Sequence, residues 1–304
     1  MFPGQGSQHV GMAHDFHNNF EEVRDLYKLA SDELGEDIAK LSFEGPAEKL
    51  KQTRFTQPAI LLHSLAVLTA LKESLPQFDY ACGHSLGEYS ALAASGAMSF
   101  ELAIKAVVKR ASLMEQACLE SPGTMAAIIG LTEEKVLEIC RKASTNGVVV
   151  PANFNSKSQI VISGNVDAVK VATEIAKTEG ARRAMVLEVG GAFHSPLMEP
   201  AKSGMQQFLK DADIKSSAVP VIANVTAKPV ESSDEIKQLL VAQIISPVKW
   251  SQTMSYLMSN DCTNVIEIGP GKVLAGMAKR DMSAQKITNL ETLKDIESLA
   301  AVSV

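Results

Sequence analysis

Little in the sequence would make it a disulfide scaffold, a metalloprotein or a membrane span. Its 304 residues include four cysteines, Cys82, Cys118, Cys140 and Cys262, with no CxxC spacing. With no secretory leader ahead of them, they are expected as scattered thiols in a reducing compartment. No apolar run approaches the roughly 18 residues that cross a bilayer, and Met1-Phe2-Pro3-Gly4 has neither a basic leader nor an apolar targeting core. Positive charge is not in excess either. The 29 Lys and Arg against 35 Asp and Glu leave a net charge of −6, which argues against general affinity for nucleic acid or an anionic membrane. His9, His14 and His17 lie in a polar stretch without HExxH, and no Cys, His and carboxylate cluster has metal-ligand spacing. Two nucleotide motifs also fail. After Gly4-Gln5-Gly6, His9 stands where a dinucleotide fingerprint needs its third glycine. Near Gly269-Pro270-Gly271-Lys272, Ile266 and Val273 replace the first glycine and the Ser/Thr of a phosphate loop. What remains is a globular protein, 46% apolar and 21% charged, expected in the cytoplasm and long enough for about two domains or subdomains.

Helix and strand patterns alternate throughout, which predicts an α/β architecture with a mostly parallel sheet. Apolar spacing predicts helices over 20–34, 58–73, 86–96 and 100–119, with Ser99 as N-cap of the last. Residues 123–189 have a different rhythm. Met125–Gly130, Val148–Asn153, Gln159–Ser163 and Ala184–Val189 read as strands, with Asn155-Ser156-Lys157 turning between the middle two. Helices are expected at Thr132–Ala143 and Asp167–Glu179, the second ended by Gly180. The order β-α-β-β-α-β is ferredoxin-like. It suggests a small subdomain, 123–189, inserted into a larger one made of 1–122 and 190–304. Further strands are expected at Val219–Val225 and Val265–Ile268, with helices near 234–245 and from 273.

The strand Tyr80-Ala81-Cys82 runs into Gly83-His84-Ser85-Leu86-Gly87 and then a helix. In that context G-x-S-x-G is the sharp turn that exposes a nucleophilic serine at a helix N-terminus, where backbone N–H groups can hold an oxyanion. The bland alternative is an N-cap serine between two turn glycines; the correct flanks favour the nucleophile. A serine needs a base. His63 lies on an apolar helix and reads as a core histidine. His84 adjoins Ser85 but points away from it on a tight turn, so it lines the site at best. His194, in Gly190-Gly191-Ala192-Phe193-His194-Ser195-Pro196, sits on a loop able to hold a side chain over a cleft. Base and surface-loop histidine stay balanced on that evidence. Arg110 shares its helical stripe with Ala103, Ala106, Val107, Leu113 and Met114, while Lys105, Lys109, Ser112 and Gln116 form the polar face. A guanidinium there either snorkels out, pairs with a structural carboxylate, or grips a substrate carboxylate through two parallel hydrogen bonds.

Taken together, Phe2-Pro3-Gly4-Gln5-Gly6-Ser7-Gln8, Gly83–Tyr89 and Gly191–Pro196 resemble the malonyl-CoA:acyl-carrier-protein transacylase family of fatty acid synthesis. Thr56-Gln57-Pro58-Ala59, Asn153-Phe154-Asn155-Ser156 and Glu267-Ile268-Gly269-Pro270-Gly271 are similar as well, so the likeness runs from residue 2 to about 280. The resemblance implies an α/β-hydrolase-like large subdomain with a ferredoxin-like insert, and ping-pong transfer of malonyl from coenzyme A to the carrier's phosphopantetheine thiol. It implies Ser85 as nucleophile, His194 as its base, and Gln243 orienting His194 through a main-chain carbonyl. The N–H groups of Gln5 and Leu86 form the oxyanion hole, and Arg110 pairs with the malonyl carboxylate. His84, Gln57 and Asn155 are expected to line the site. No cofactor is expected, since the coenzyme A thioester is a substrate, and the chain is expected to be a monomer.

The family normally has a strand directly before Phe-Pro-Gly-Gln-Gly, whereas this chain begins at Met1-Phe2. The expectation is an N-terminally incomplete sequence, with open ladder partners and a less firmly placed Gln5. The rivals are a serine esterase or thioesterase and a non-catalytic carrier-binding scaffold. A hydrolase has its histidine near the C-terminus, after the acid; here a strand and the Gly-Pro-Gly turn still follow His194. A scaffold has no reason to keep Ser85, His194 and Arg110 together.

Overall fold

The structure is a computed structural model and describes residues 1–282 and 284–302. Residues 283, 303 and 304, within the segment expected to join the large subdomain, lie outside the described residues. The strands are β1 (Ala81–Cys82), β2 (Thr124–Ile129), β3 (Val149–Ser156), β4 (Gln159–Gly164), β5 (Arg183–Val186), β6 (Val221–Ile222), β7 (Pro229–Val230), β8 (Asn264–Ile268) and β9 (Lys286–Leu290).

Parallel pairs β1·β6 and β8·β9 form the two halves of a sheet, and the first two residues of the chain join them. The Met1 ammonium donates to the Ile266 carbonyl at 2.7 Å, and the Ile268 N–H donates to Met1 at 2.9 Å. On the other side the Phe2 N–H donates to Cys82 at 2.9 Å, and the His84 N–H to Phe2 at 3.0 Å. Met1 and Phe2 therefore act as a two-residue central strand whose backbone is bonded on both edges, directly ahead of Gly4 and Gln5. The expected strand Val219–Val225 is only β6. The chain turns after Ile222, with the Ala223 N–H bonded to Lys228 and β7 returning antiparallel.

Helix Thr53–Leu71 packs at the centre, with every residue but Arg54 and Ala70 buried. Apolar all round, it is a core helix rather than a surface one. Helix Phe100–Glu120 lies against it and starts at Ser99, whose Oγ accepts the Leu102 N–H at 3.1 Å. Helices Glu199–Lys210, Trp250–Ser259 and Leu293–Val302, and strand β9, are additions to the elements expected from sequence.

Strands β2 to β5 form an antiparallel sheet in the order β3-β4-β2-β5, with helices Glu133–Ala143 and Val166–Thr178 between them in sequence, the ferredoxin-like arrangement. Strand alternation gives this sheet two buried faces. Ala126, Ile128 and Ile162 pack with the two helices, while Met125, Ala127 and Val161 join the main core. Strand β3 runs two residues further than a turn at 155–157 would allow, and the reversal falls at Lys157–Ser158. Asn155 is thus a strand residue. The same strand ties the small unit to the large one: the Phe154 N–H donates to Val248 at 2.9 Å, and the Val248 N–H to Ala152 at 2.8 Å.

His63 is a core residue, 1% exposed, with Nε2 2.8 Å from the Glu291 carbonyl. Burial pushes its pKa down to about 4, against 6.5 when free. Between those values the unfolded chain binds a proton that the folded chain refuses, so stability is full above pH 6.5 and falls as pH drops toward 4. His63→Gln removes that proton. Its urea-unfolding free energy is expected to lose about 1.4 kcal/mol less per pH unit than the parent through this window; parallel pH slopes would contradict the assignment.

Candidate active site

The turn between β1 and helix Gly87–Ala94 holds Ser85 at φ 52°, the left-handed region that a non-glycine residue occupies only under constraint. The neighbours explain the two glycines. A Cβ on Gly83 would stand 2.0 Å from the Gly87 carbonyl carbon, and one on Gly87 would stand 2.2 Å from the Phe2 carbonyl oxygen. Backbone meets backbone there, so any side chain would open the turn. Asn224 staples the bend from below: its Oδ1 accepts the Ser85 N–H at 2.7 Å and its Nδ2 donates to the Gly83 carbonyl at 2.6 Å. The N–H groups of Leu86 and Gln5 have no hydrogen-bond partner among the described residues. Gln5 is anchored through its side chain, whose Nε2 reaches Thr53 Oγ1 at 3.4 Å.

His194 is also in the left-handed region, at φ 57°, and is 3% exposed. Its Nε2 lies 2.8 Å from Ser85 Oγ and its Nδ1 2.9 Å from the main-chain carbonyl of Gln243. A carbonyl only accepts, so Nδ1 carries the proton and Nε2 is free to take one from the serine. Burial, with the Arg110 charge adding to it and the Gln243 carbonyl opposing it, lowers the His194 pKa to about 3. The imidazole is thus neutral throughout the physiological range, with the Nε2 lone pair facing the serine hydroxyl.

Arg110 is fully buried. Its Nη1 donates to Gln57 Oε1 at 2.6 Å, and its Nη2 donates to Ser85 Oγ and Gln243 Oε1, each at 3.0 Å. The guanidinium lies over the Tyr89 ring, 5.8 Å from its centroid. Among the described residues no carboxylate oxygen comes within 4.0 Å of it. The snorkelling and structural-pair readings of this arginine therefore fail, and the cation stands unpaired beside the serine.

The structure thus brings Ser85, His194, Arg110, Gln57 and Gln243 into one cluster. His84 faces away from Ser85, its Nε2 bonded to Asn155 Oδ1 at 2.9 Å and its ring beside Trp250. Two further members have no counterpart in the sequence reading. Asn224 is 1% exposed and Glu88 2%. Glu88 Oε2 accepts Gln243 Nε2 at 2.7 Å and the Asn224 N–H at 3.0 Å. Both were readable in principle. Glu88 is a carboxylate followed by Ala91-Leu92-Ala93, and Asn224 interrupts Val221-Ile222-Ala223 before Val225, the same misplaced polarity that marks Arg110.

A strained serine at a helix N-terminus, a neutral imidazole within hydrogen-bond reach and a buried cation beside them define an acyltransferase site on an α/β frame. The family model described as the acyl transferase domain matches residues 1–297, and the chain belongs to that family. Among its relatives, the malonyl CoA-acyl carrier protein transacylase of Bacillus subtilis is 44% identical over 281 residues, 92% of this chain and 89% of that one. The acyl-carrier-protein-S-malonyltransferase of Bartonella henselae superposes with a TM-score of 0.94 at 38% identity, covering 100% of this chain and 98% of the other. A malonyl-transacylase solved in complex with a type II PKS acyl-carrier protein superposes at 0.93 with 36% identity, covering 99% and 98%.

Removing the staple should be felt both in the fold and at the hydroxyl. Asn224→Ala leaves the Ser85 N–H and Gly83 carbonyl without partners, which costs about 2 kcal/mol or more. Urea unfolding should register that loss, and labelling of Ser85 by a fluorophosphonate should slow about tenfold. Labelling at the parent rate would show that the bend holds without Asn224.

Proposed function

We propose that this acyltransferase moves a malonyl group from coenzyme A to the phosphopantetheine thiol of acyl carrier protein, through a malonyl ester on Ser85, in fatty acid synthesis. One observation carries the acyl choice. The Arg110 guanidinium is buried without a carboxylate beside it, its Nη2 3.0 Å from the oxygen that takes the acyl group. A buried cation costs several kcal/mol unless an anion meets it. A malonyl group on Ser85 carries its free carboxylate one methylene from the ester, within reach of that fork. An acetyl group brings nothing to it. The names of the relatives and the carrier-protein complex support the same donor and acceptor.

In this reading His194 Nε2 takes the Ser85 proton as Oγ attacks the thioester carbonyl. The N–H groups of Gln5 and Leu86 hold the resulting oxyanion. The carbon–sulfur bond then breaks, and the departing coenzyme A sulfur takes the proton from His194. The carrier's thiol enters, gives its proton to His194 and attacks the ester, and Ser85 recovers its proton as it leaves. The Gln243 carbonyl orients the imidazole where a hydrolase would use a carboxylate. A neutral orienter stabilises the imidazolium less, which suffices because one thioester is exchanged for another and a thiolate leaves readily. Gln57 serves by holding Arg110, while His84 and Asn155 bond to each other on the far side of the serine turn. The reading assigns no cofactor and a monomer in the cytoplasm; no helix among the described residues is long and apolar enough to cross a membrane.

Intact-mass analysis after mixing with malonyl-CoA should show one malonyl adduct on the parent and none on Ser85→Ala; an adduct on the alanine variant would remove Ser85 as nucleophile. Arg110→Ala should lower kcat/KM for malonyl-CoA about a hundredfold or more, equivalent to about 3 kcal/mol, with a smaller effect on acetyl-CoA. An unchanged malonyl-to-acetyl ratio would sink the carboxylate-clamp assignment.

A further inference from the structure

Four hydrogen bonds tie Gln243 to the site, besides the Ser246 N–H that its carbonyl also accepts at 3.3 Å. Its main-chain carbonyl takes His194 Nδ1 at 2.9 Å. Its side-chain Oε1 takes Arg110 Nη2 at 3.0 Å. Its Nε2 donates to the Ser85 carbonyl at 3.0 Å and to Glu88 Oε2 at 2.7 Å. An amide can turn over, exchanging oxygen and nitrogen, and here the exchange would aim an NH2 at a guanidinium that only donates. Arg110 loses one of the two partners of Nη2 in that state and is then aimed only by Gln57 and the Ser85 hydroxyl. Two acceptors facing Nε2 oppose the exchange, the Ser85 carbonyl at 3.0 Å and, at the shorter 2.7 Å, Glu88 Oε2, since a buried acceptor requires the nitrogen end of the amide.

The same Glu88 oxygen takes the Asn224 N–H at 3.0 Å, and Asn224 holds both sides of the serine turn. One buried carboxylate thus ties the staple under the nucleophile to the amide that aims the arginine. It lies on the helix that the turn opens into, with its own N–H donating to the Ser85 carbonyl at 3.1 Å. Burial pushes its pKa up to about 7, with the Asn224 and Gln243 bonds and the Arg110 charge pulling the other way. A group this costly to keep in the interior is expected to hold something in place.

Building on the malonyl-transfer reading, we infer that Glu88 is a positioning residue for acyl selectivity: it locks the Gln243 amide so that Oε1 faces Arg110 and the guanidinium stays aimed at the acyl group. Gln243 orients His194 through its main chain, so loss of the lock should affect recognition of the acyl carboxylate more than reactivity of the serine.

Three variants test this in one assay set, with malonyl loading of the parent measured alongside. A parent that loads no malonyl would count against the function, whereas the lock is judged on ratios between variants. Glu88→Leu should lower the malonyl-to-acetyl ratio of kcat/KM about tenfold, chiefly through the malonyl KM. Its labelling of Ser85 by a fluorophosphonate should fall by less than the malonyl-to-acetyl ratio does. Glu88→Gln keeps an oxygen able to accept both donors and should restore the ratio to within about threefold. An unchanged ratio in Glu88→Leu, or an equal fall in malonyl transfer, acetyl transfer and labelling, would overturn the inference, the second by showing a purely structural role. A Gln variant as unselective as the Leu variant would overturn it too. Should Glu88→Leu fail to fold, Gln243→Met, which keeps the main-chain carbonyl but lacks the amide, must show the same selective loss, and parent-like selectivity there would refute the lock.

Discussion

Everything in the site is arranged around an arginine charge removed from water without an anion to meet it. Arg110 is satisfied by two neutral amides, Gln57 and Gln243, and by the serine hydroxyl. Neutral oxygens lower the cost of burying a guanidinium but do not cancel its field, and that field falls on Ser85 and His194. It contributes to the low pKa of His194, and among the described residues no carboxylate oxygen meets the guanidinium in direct contact. Under the proposed function, a substrate that carries a carboxylate supplies the direct anionic partner that Arg110 lacks. Selectivity for a dicarboxylic half-thioester, on this view, comes from an incomplete ion pair built into the core.

Holding reactive groups in such an arrangement takes rigid supports from distant parts of the chain. Ser85 and His194 both sit in the left-handed region, where a side chain stays only if its surroundings over-determine it. For Ser85 the surroundings are Phe2, the glycines at 83 and 87, and Asn224. Met1 and Phe2 matter here beyond their size, since their hydrogen bonds to β8 and to Cys82 and His84 set the floor on which the turn rests. The loop after Gln243 is pinned by Val248 against β3, so the ferredoxin-like unit also helps to fix the carbonyl that orients His194.

Much of this was legible from residue pattern. The strand–glycine–serine–glycine–helix order located the turn, because only small residues fit where backbones cross. Helical spacing isolated Arg110, because a guanidinium on an apolar stripe breaks the periodicity around it. The β-α-β-β-α-β order of the insert was readable from strand alternation and its helix boundaries. Less was readable where structure depends on contacts far apart in sequence. Strand β6 is two residues long although Val219–Val225 reads as a strand of seven, since the chain turns after Ile222, where Asn224 bonds to the Ser85 N–H and the Gly83 carbonyl. Asn155 looked like a turn residue because Asn, Ser and Lys favour turns; pairing with β4 and with Val248 extends the strand through it instead. Glu88 and Asn224 went unnoticed although each is a polar residue in apolar surroundings, the feature that singled out the arginine.

The residue sequence by itself determined the alternation of helices and strands, the sharp bend at Ser85 and the place of Arg110 on an apolar helical stripe. These follow from local sterics and from the cost of placing polar groups among apolar ones. Only the tertiary structure decided which histidine meets the serine, that Gln243 serves His194 and Arg110 at once, and that the arginine lacks an anionic partner. Those facts depend on groups separated by up to 133 residues meeting within about 3 Å, and no local preference encodes such a meeting.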